Sequence, residues 1–118
     1  MTINVLGTKY EISRVAYTDD LDMIKDNCCG ICNTFKKRID ILDLKTSPMW
    51  QNEPPETIEA AEQEILRHEI IHAFLRESGL TESAHVTENA WVQNEEMVDW
   101  FAVQWPKIAI AFTVAGCA

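Results

Sequence analysis

The stretch Ile65–Leu80, ILRHEIIHAFLRESGL, decides how the rest of the chain is read, because it sets His68-Glu69-Ile70-Ile71-His72 inside a run of helical periodicity. Side chains four residues apart on a helix project from one face, one above the other. His68 and His72 therefore offer two imidazole nitrogens to a single divalent ion. Glu69 stands beside them, where a carboxylate serves as general base towards water. The competing reading is a charged, water-facing turn of helix. Against it, the chain has only 3 histidines, and two of them stand at this spacing.

Both ends of that helix are marked. Pro54-Pro55 suit a first turn, where a missing N–H costs nothing. Glu56, Glu59 and Glu62 bring negative charge towards the positive end of the helix dipole. Gly79 fits the left-handed residue just past the C-terminus, with Leu80 placed to fold back on Leu75. Between these limits Ile58, Ala61, Ile65, Ile70, Ala73, Phe74 and Leu75 recur at helical spacing. The two histidines thus fall in mid-helix beside core positions, where ligands are held rigidly.

A chain of 118 residues is expected to form one domain over 1–118, with a modest core. Its 47% hydrophobic and 25% charged content is that of a folded globular protein. Ten basic against nineteen acidic residues give a net charge of −9, which argues against nucleic-acid binding, since that rests on neutralising phosphates. The start, Met1-Thr2-Ile3-Asn4, lacks the basic-then-apolar pattern of a secretion signal. No apolar run is long enough to cross a bilayer, and the longest, Ile108–Ala115, reads as a buried helix or a tail. A cytoplasmic protein with its 4 cysteines reduced is the expectation.

Ahead of the motif, Ile3–Leu6 and Tyr10–Val15 alternate apolar and polar residues and read as strands joined by a tight turn at Gly7-Thr8. Asp19-Asp20 can cap a short helix to about Asn27, with Leu21 and Ile24 on its buried side. Arg38–Leu44 reads as a further strand, and Ile31–Phe35 can pair with it across a turn. Lys45–Glu53 is loop, with Trp50 folded onto the core. Cys29 and Cys32 have the spacing of a thiol redox motif. Without a second such pair, and without alternating strands and helices, Cys28, Cys29 and Cys32 read as small, partly buried side chains at a turn.

Beyond Gly79 a polar linker leads to Thr87, an N-cap for a second long helix over about Glu88–Gln104. Pro106 ends or kinks that helix, and Lys107–Val114 reads as a final buried one. Trp91, Trp100 and Trp105 are expected to seal a helix–sheet core. A catalytic zinc site usually has three protein ligands. The candidates for the third are His85, Glu88, Glu95, Glu96 and Asp99. Glu95 shares a helix face with Trp91, Val92, Val98 and Ala102, a buried side on which an unpaired carboxylate is costly and a cation removes the cost. Asp99, one turn on, can accept the outer N–H of a ligating histidine. Glu96 is the rival, bordering Val92 and Trp100, and His85 is a third option.

His68-Glu69-x-x-His72 followed by Asn94-Glu95-x-x-x-Asp99 resembles the gluzincin pattern of thermolysin-like zinc metallopeptidases. HEIIHAFLRESGL with NEEMVDWFA and PKI is also similar to ImmA/IrrE-type and small phage-encoded metallopeptidases, although Asp99 stands where the ImmA/IrrE type usually has asparagine. The resemblance covers roughly residues 65–106. It implies one Zn²⁺ held by His68, His72 and Glu95, Glu69 as general base, Asp99 supporting a histidine, and hydrolysis of a peptide or protein substrate. It also implies a substrate lying along an edge strand, for which Arg38–Leu44 is the candidate. His85, Tyr10 or Tyr17 could hold the developing oxyanion.

The fold expected is α+β: a minimal zincin-like domain with a small, mostly antiparallel sheet of three or four strands packed on the two site helices. Two other functions stay open, a metal-stabilised binding or assembly protein without chemistry and a thiol redox protein using Cys29 and Cys32.

Overall fold

A computed structural model describes residues 1–81 and 90–118. Its architecture is α+β, as expected. Strands β1 (Thr2–Val5), β2 (Thr8–Val15), β3 (Gly30–Asn33) and β4 (Arg38–Leu42) form one sheet in the order β1-β2-β4-β3. Helix α1 (Leu21–Asp26) lies between β2 and β3, α2 (Pro55–Glu77) carries the paired histidines, and α3 (Glu95–Ala115) follows.

Local chemistry explains the short connections. Leu6 and Gly7 both adopt positive φ, 50° and 91°, the conformation of a two-residue hairpin turn, and the Gly7 N–H donates to Asn4 Oδ1 (2.8 Å). Asp20 caps α1 by accepting from the Met23 N–H (2.9 Å). Met23, not Ile24, is the fully buried residue of that helix, and the side chain of Leu21 lies outside what is described. The hairpin of β3 and β4 runs antiparallel, Gly30 opposite Ile41 and Asn33 opposite Arg38. β2 and β4 instead run parallel, so the crossover through α1 and β3 leaves β4 inside the sheet and β3 on its edge.

The alternating apolar residues of the strands meet one face of α2. Val5, Tyr10, Ile12, Ile39 and Ile41 pack with Ala73, Ile65, Leu66 and Ile70. A second cluster joins Met23, Leu42, Leu44 and Ile58, with Trp50 folded against it. Burying an apolar side chain of this size is worth about 1.5–3 kcal/mol, so these clusters carry most of the sheet–helix adhesion.

Helix α3 is an outer layer. Among the described residues it packs chiefly on α2, through the buried Val98 and Ala102, and not on the sheet. Trp91, Trp100 and Trp105 therefore do not seal a helix–sheet core; they are 53%, 55% and 48% exposed. Nor does Pro106 divide the helix. A proline at 106 removes the N–H that would bond the carbonyl of residue 102. Arg67 Nε, on α2, donates to that Ala102 carbonyl (2.5 Å), and α3 continues unbroken to Ala115. The stretch Lys107–Val114 expected as a buried helix is the largely exposed second half of α3.

Glu77, in the last turn of α2, ties the helix to the sheet. Its carboxylate accepts from Lys37 Nζ (2.5 Å), the Tyr10 hydroxyl (2.7 Å) and the Thr8 hydroxyl (3.0 Å). Those donors, Lys37 first, hold the carboxyl down from 4.5 to about 2. Folding thus favours the ionised form. The stabilisation is complete above pH 4.5 and is lost as the pH falls towards 2. Glu77→Gln should lower stability at neutral pH and flatten the acid limb in that window. Thermal melts across a pH series test this, and equal slopes for parent and variant would exclude Glu77 as the source.

Candidate metal centre

Two elements bring the site together. His68, Glu69 and His72 occupy the middle of α2, and Glu95 is the first residue of α3. That helix starts later than the expected Glu88 because Asn94, in extended backbone, caps it by accepting from the Met97 N–H (2.9 Å). An asparagine followed by two acidic residues is a helix-start signature already legible in the chain. Thr87, the expected cap, and His85 and Glu88, two of the ligand candidates, lie outside the described residues.

His68 Nε2 lies 3.0 Å from His72 Nε2 and 3.2 Å from Glu95 Oε2, and His72 Nε2 lies 3.3 Å from the same oxygen. Two ligand atoms each about 2.0–2.1 Å from a tetrahedral ion sit about 3.3 Å apart, so the triangle has the size of a zinc ligand set. His68, His72 and Glu95 can thus hold a metal ion. Glu96, the rival, is exposed and is not part of this group.

The chemistry of the donors fits a cation. Asp99 Oδ1 lies 2.7 Å from His68 Nδ1. A carboxylate only accepts, so Nδ1 carries the proton and Nε2 turns its lone pair towards the group. Burial, the largest influence on His72, pulls its pKa below the usual histidine value and favours the neutral, ligating ring. Two imidazole lone pairs and a carboxylate facing one another at these distances repel until a positive charge sits between them. Glu95 does not reach the group as a buried carboxylate, however. Its side chain is 63% exposed, and the helix start, not desolvation, delivers it.

Glu69 is buried (7% exposed) beside the triangle. Burial first, opposed by His68 and reinforced by Glu95, pushes its carboxyl up from 4.5 to about 7, while the Cys32 backbone N–H donates to it. Strand β3 passes very close here. A Cβ built on Gly30 would lie 2.8 Å from Ile65 Cγ2 and 2.9 Å from both Cγ and Oε1 of Glu69. Gly30 is a position beside the candidate site that the sequence did not single out, although a glycine in a strand is a known mark of close approach.

Glu69, Gly30 and Cys32 line a cavity of about 580 Å³ together with His68, His72 and Glu95. The other residues singled out from the sequence stand elsewhere. Tyr10 is fully buried and donates to Glu77, and Tyr17 packs against the second core cluster, so neither lines this cavity. Cys28, Cys29 and Cys32 are free and partly buried. Burial raises all three thiols, Cys32 to about 12, the opposite of the activation a redox thiol requires. No protein-family model, curated protein or solved structure matches this chain.

Proposed function

We propose that this chain is a zinc-dependent peptidase. The observation that carries the reading is the convergence of His68, His72 and Glu95 from two helices, with a buried carboxylate, Glu69, beside them at the edge of a sheet. The gluzincin resemblance of the two motifs points the same way. His68 Nε2, His72 Nε2 and a Glu95 oxygen would hold the ion. When bound, zinc supplies Lewis acidity, lowering the pKa of water to about 7 and polarising a carbonyl oxygen.

The protein's own groups do the rest. Asp99 keeps the proton on His68 Nδ1 and fixes the ring's orientation. Glu69 takes a proton from the attacking water at a carboxylate oxygen and passes it to the leaving amine nitrogen. The substrate strand is not Arg38–Leu44, because β4 lies inside the sheet; the edge strand at the cavity is β3. The Leu42 N–H donates to the Cys29 carbonyl (2.8 Å), so residues 29, 31 and 33 face β4. Gly30 and Cys32 then turn their backbone groups outward, towards the cavity; with the Cys32 N–H taken by Glu69, an extended peptide can add as a further strand through the other outward groups.

The test is zinc-dependent hydrolysis. Chain stripped with a chelator should take up one zinc per molecule. It should then cleave members of a quenched-fluorescent peptide library, and His72→Ala should lose both properties. Zinc bound without any cleavage would leave a metal-stabilised binding protein. Zinc held equally well by His72→Ala would remove the site itself.

A further inference from the structure

The cavity that holds the three metal ligands extends past them. Apart from the histidines, its lining includes one cationic side chain among the described residues, Arg76. Arg76 follows His72 by four residues on α2, one helical turn or about 6 Å along the axis. On the facing wall Thr34 follows Cys32 by two residues, about 7 Å of extended chain. A peptide lying along β3 therefore has a residue at Arg76 about two positions from the one at the metal ligands.

Local structure fixes the guanidinium at that end. The turn between β3 and β4 is pinned by the Lys36 N–H, which donates to Asn33 Oδ1 (2.9 Å). The turn carries Phe35, 85% exposed, whose ring centre lies 5.3 Å from Arg76 Cζ. A ring stacked in this way covers one face of the guanidinium and leaves the N–H groups, which lie in its plane, directed sideways. Glu77, the acid next in sequence, is committed to Lys37, Tyr10 and Thr8 on the sheet. A guanidinium has five N–H donors, so it can take a carboxylate while keeping a partner it already holds.

We propose that Arg76 is a specificity residue that receives one carboxylate of the bound peptide, an acidic side chain or the peptide's own C-terminus, about two residues along from the metal. This rests on the reading of the cavity as a peptide site, but not on hydrolysis. The planar fork of an arginine meets a carboxylate with two parallel N–H···O bonds, which a neutral amide does not reproduce. Thr34 and Leu75, which line the cavity with it, are uncharged, so the cation sets the preference at this end. The chain's net charge of −9 repels a uniformly acidic peptide, so the substrate class is a peptide with a single carboxylate at this place.

Calorimetric titration of the full chain tests it, with zinc added and Glu69→Gln in place so that no peptide is consumed. The probes are N-acetylated octapeptides of alanine and serine: one with a central Glu and an amidated C-terminus, its twin with Gln, and the Gln peptide with a free C-terminal carboxylate. The Glu peptide or the free acid should bind about 10-fold more tightly than the amidated Gln twin, and which of them does identifies the source of the carboxylate. Adding Arg76→Gln should bring that ratio to about 1. Phe35→Ala, which removes an exposed ring and leaves the guanidinium unstacked, should bring it to an intermediate value. Equal affinity for all three peptides would overturn the proposal, and so would an unchanged preference in either variant. Hydrolysis by the zinc-loaded parent without any such preference would leave the peptidase reading standing and this one refuted. A preference that depends on Arg76, with no hydrolysis by the parent, would do the reverse.

Discussion

Glu69→Gln should bind zinc as the parent chain does and hydrolyse peptides about 10²–10⁴-fold more slowly, the usual contribution of a general base. The amide has the shape of the carboxylate, and its oxygen can still accept the Cys32 N–H, so the position stays filled and hydrogen-bonded. What the amide cannot do is take a proton from water. Nor should the substitution harm the fold: Glu69 is a buried carboxylate, and a neutral isostere removes a desolvated charge. The variant's melting temperature should equal or exceed the parent's. It therefore isolates chemistry from assembly. A Glu69→Gln protein with parental turnover would show that proton transfer runs through another group. One that had lost its zinc would place Glu69 among the ligands, a role the observed triangle of His68, His72 and Glu95 does not give it. If a biological effect survives unchanged in a variant with no hydrolysis, the protein works through binding.

The elements of this site differ in how far the sequence reveals them, and the difference follows the range of the interactions involved. The paired histidines, the helix that holds them and the alternating strands depend on contacts within a few residues, and their signals are local. Strand order depends on contacts far apart in sequence. Nothing local in Arg38–Leu42 shows that β2 will pair with it in parallel and move the free edge to Gly30–Asn33. The same holds for Pro106. It reads as a helix breaker because the cost of its missing N–H is local, whereas the group that offsets it, Arg67, comes from 35 residues away on another helix. Burial on an apolar helix face singles out Glu95 for a reason the structure does not support, since its side chain is mostly in solvent. The surer signal is Asn94 with two acids after it, a cap that makes Glu95 the first residue of the helix. The tryptophans read as core residues because large apolar rings usually enter one. They stay half exposed because, among the described residues, α3 packs chiefly on α2 and not on the sheet.

Gly30→Ala should lower kcat by about 100-fold with zinc binding retained, because a displacement of roughly 1 Å in a reacting group has that effect. The new methyl has no room: two of its three closest contacts, at 2.9 Å, are to Glu69 itself, and the third, at 2.8 Å, is to Ile65 Cγ2. β3 is held to β4 by their ladder, and Ile65 packs in the core, so the side chain freest to give way is that of Glu69. Overpacking of this kind also costs about 1–3 kcal/mol of stability, and a drop in activity alone would not separate the two effects. Removing the Ile65 contact does. In the pair Gly30→Ala with Ile65→Ala the methyl gains space on the Ile65 side only. The pair should lose less stability relative to Ile65→Ala than Gly30→Ala loses relative to the parent, yet kcat should stay low, because the contacts with Glu69 persist. KM should move less than kcat, since the outward backbone groups of β3 are unchanged in kind. A Gly30→Ala chain with parental kcat would mean that the strand's close approach does not position the base. Recovery of kcat in the pair would make Gly30 a matter of packing alone.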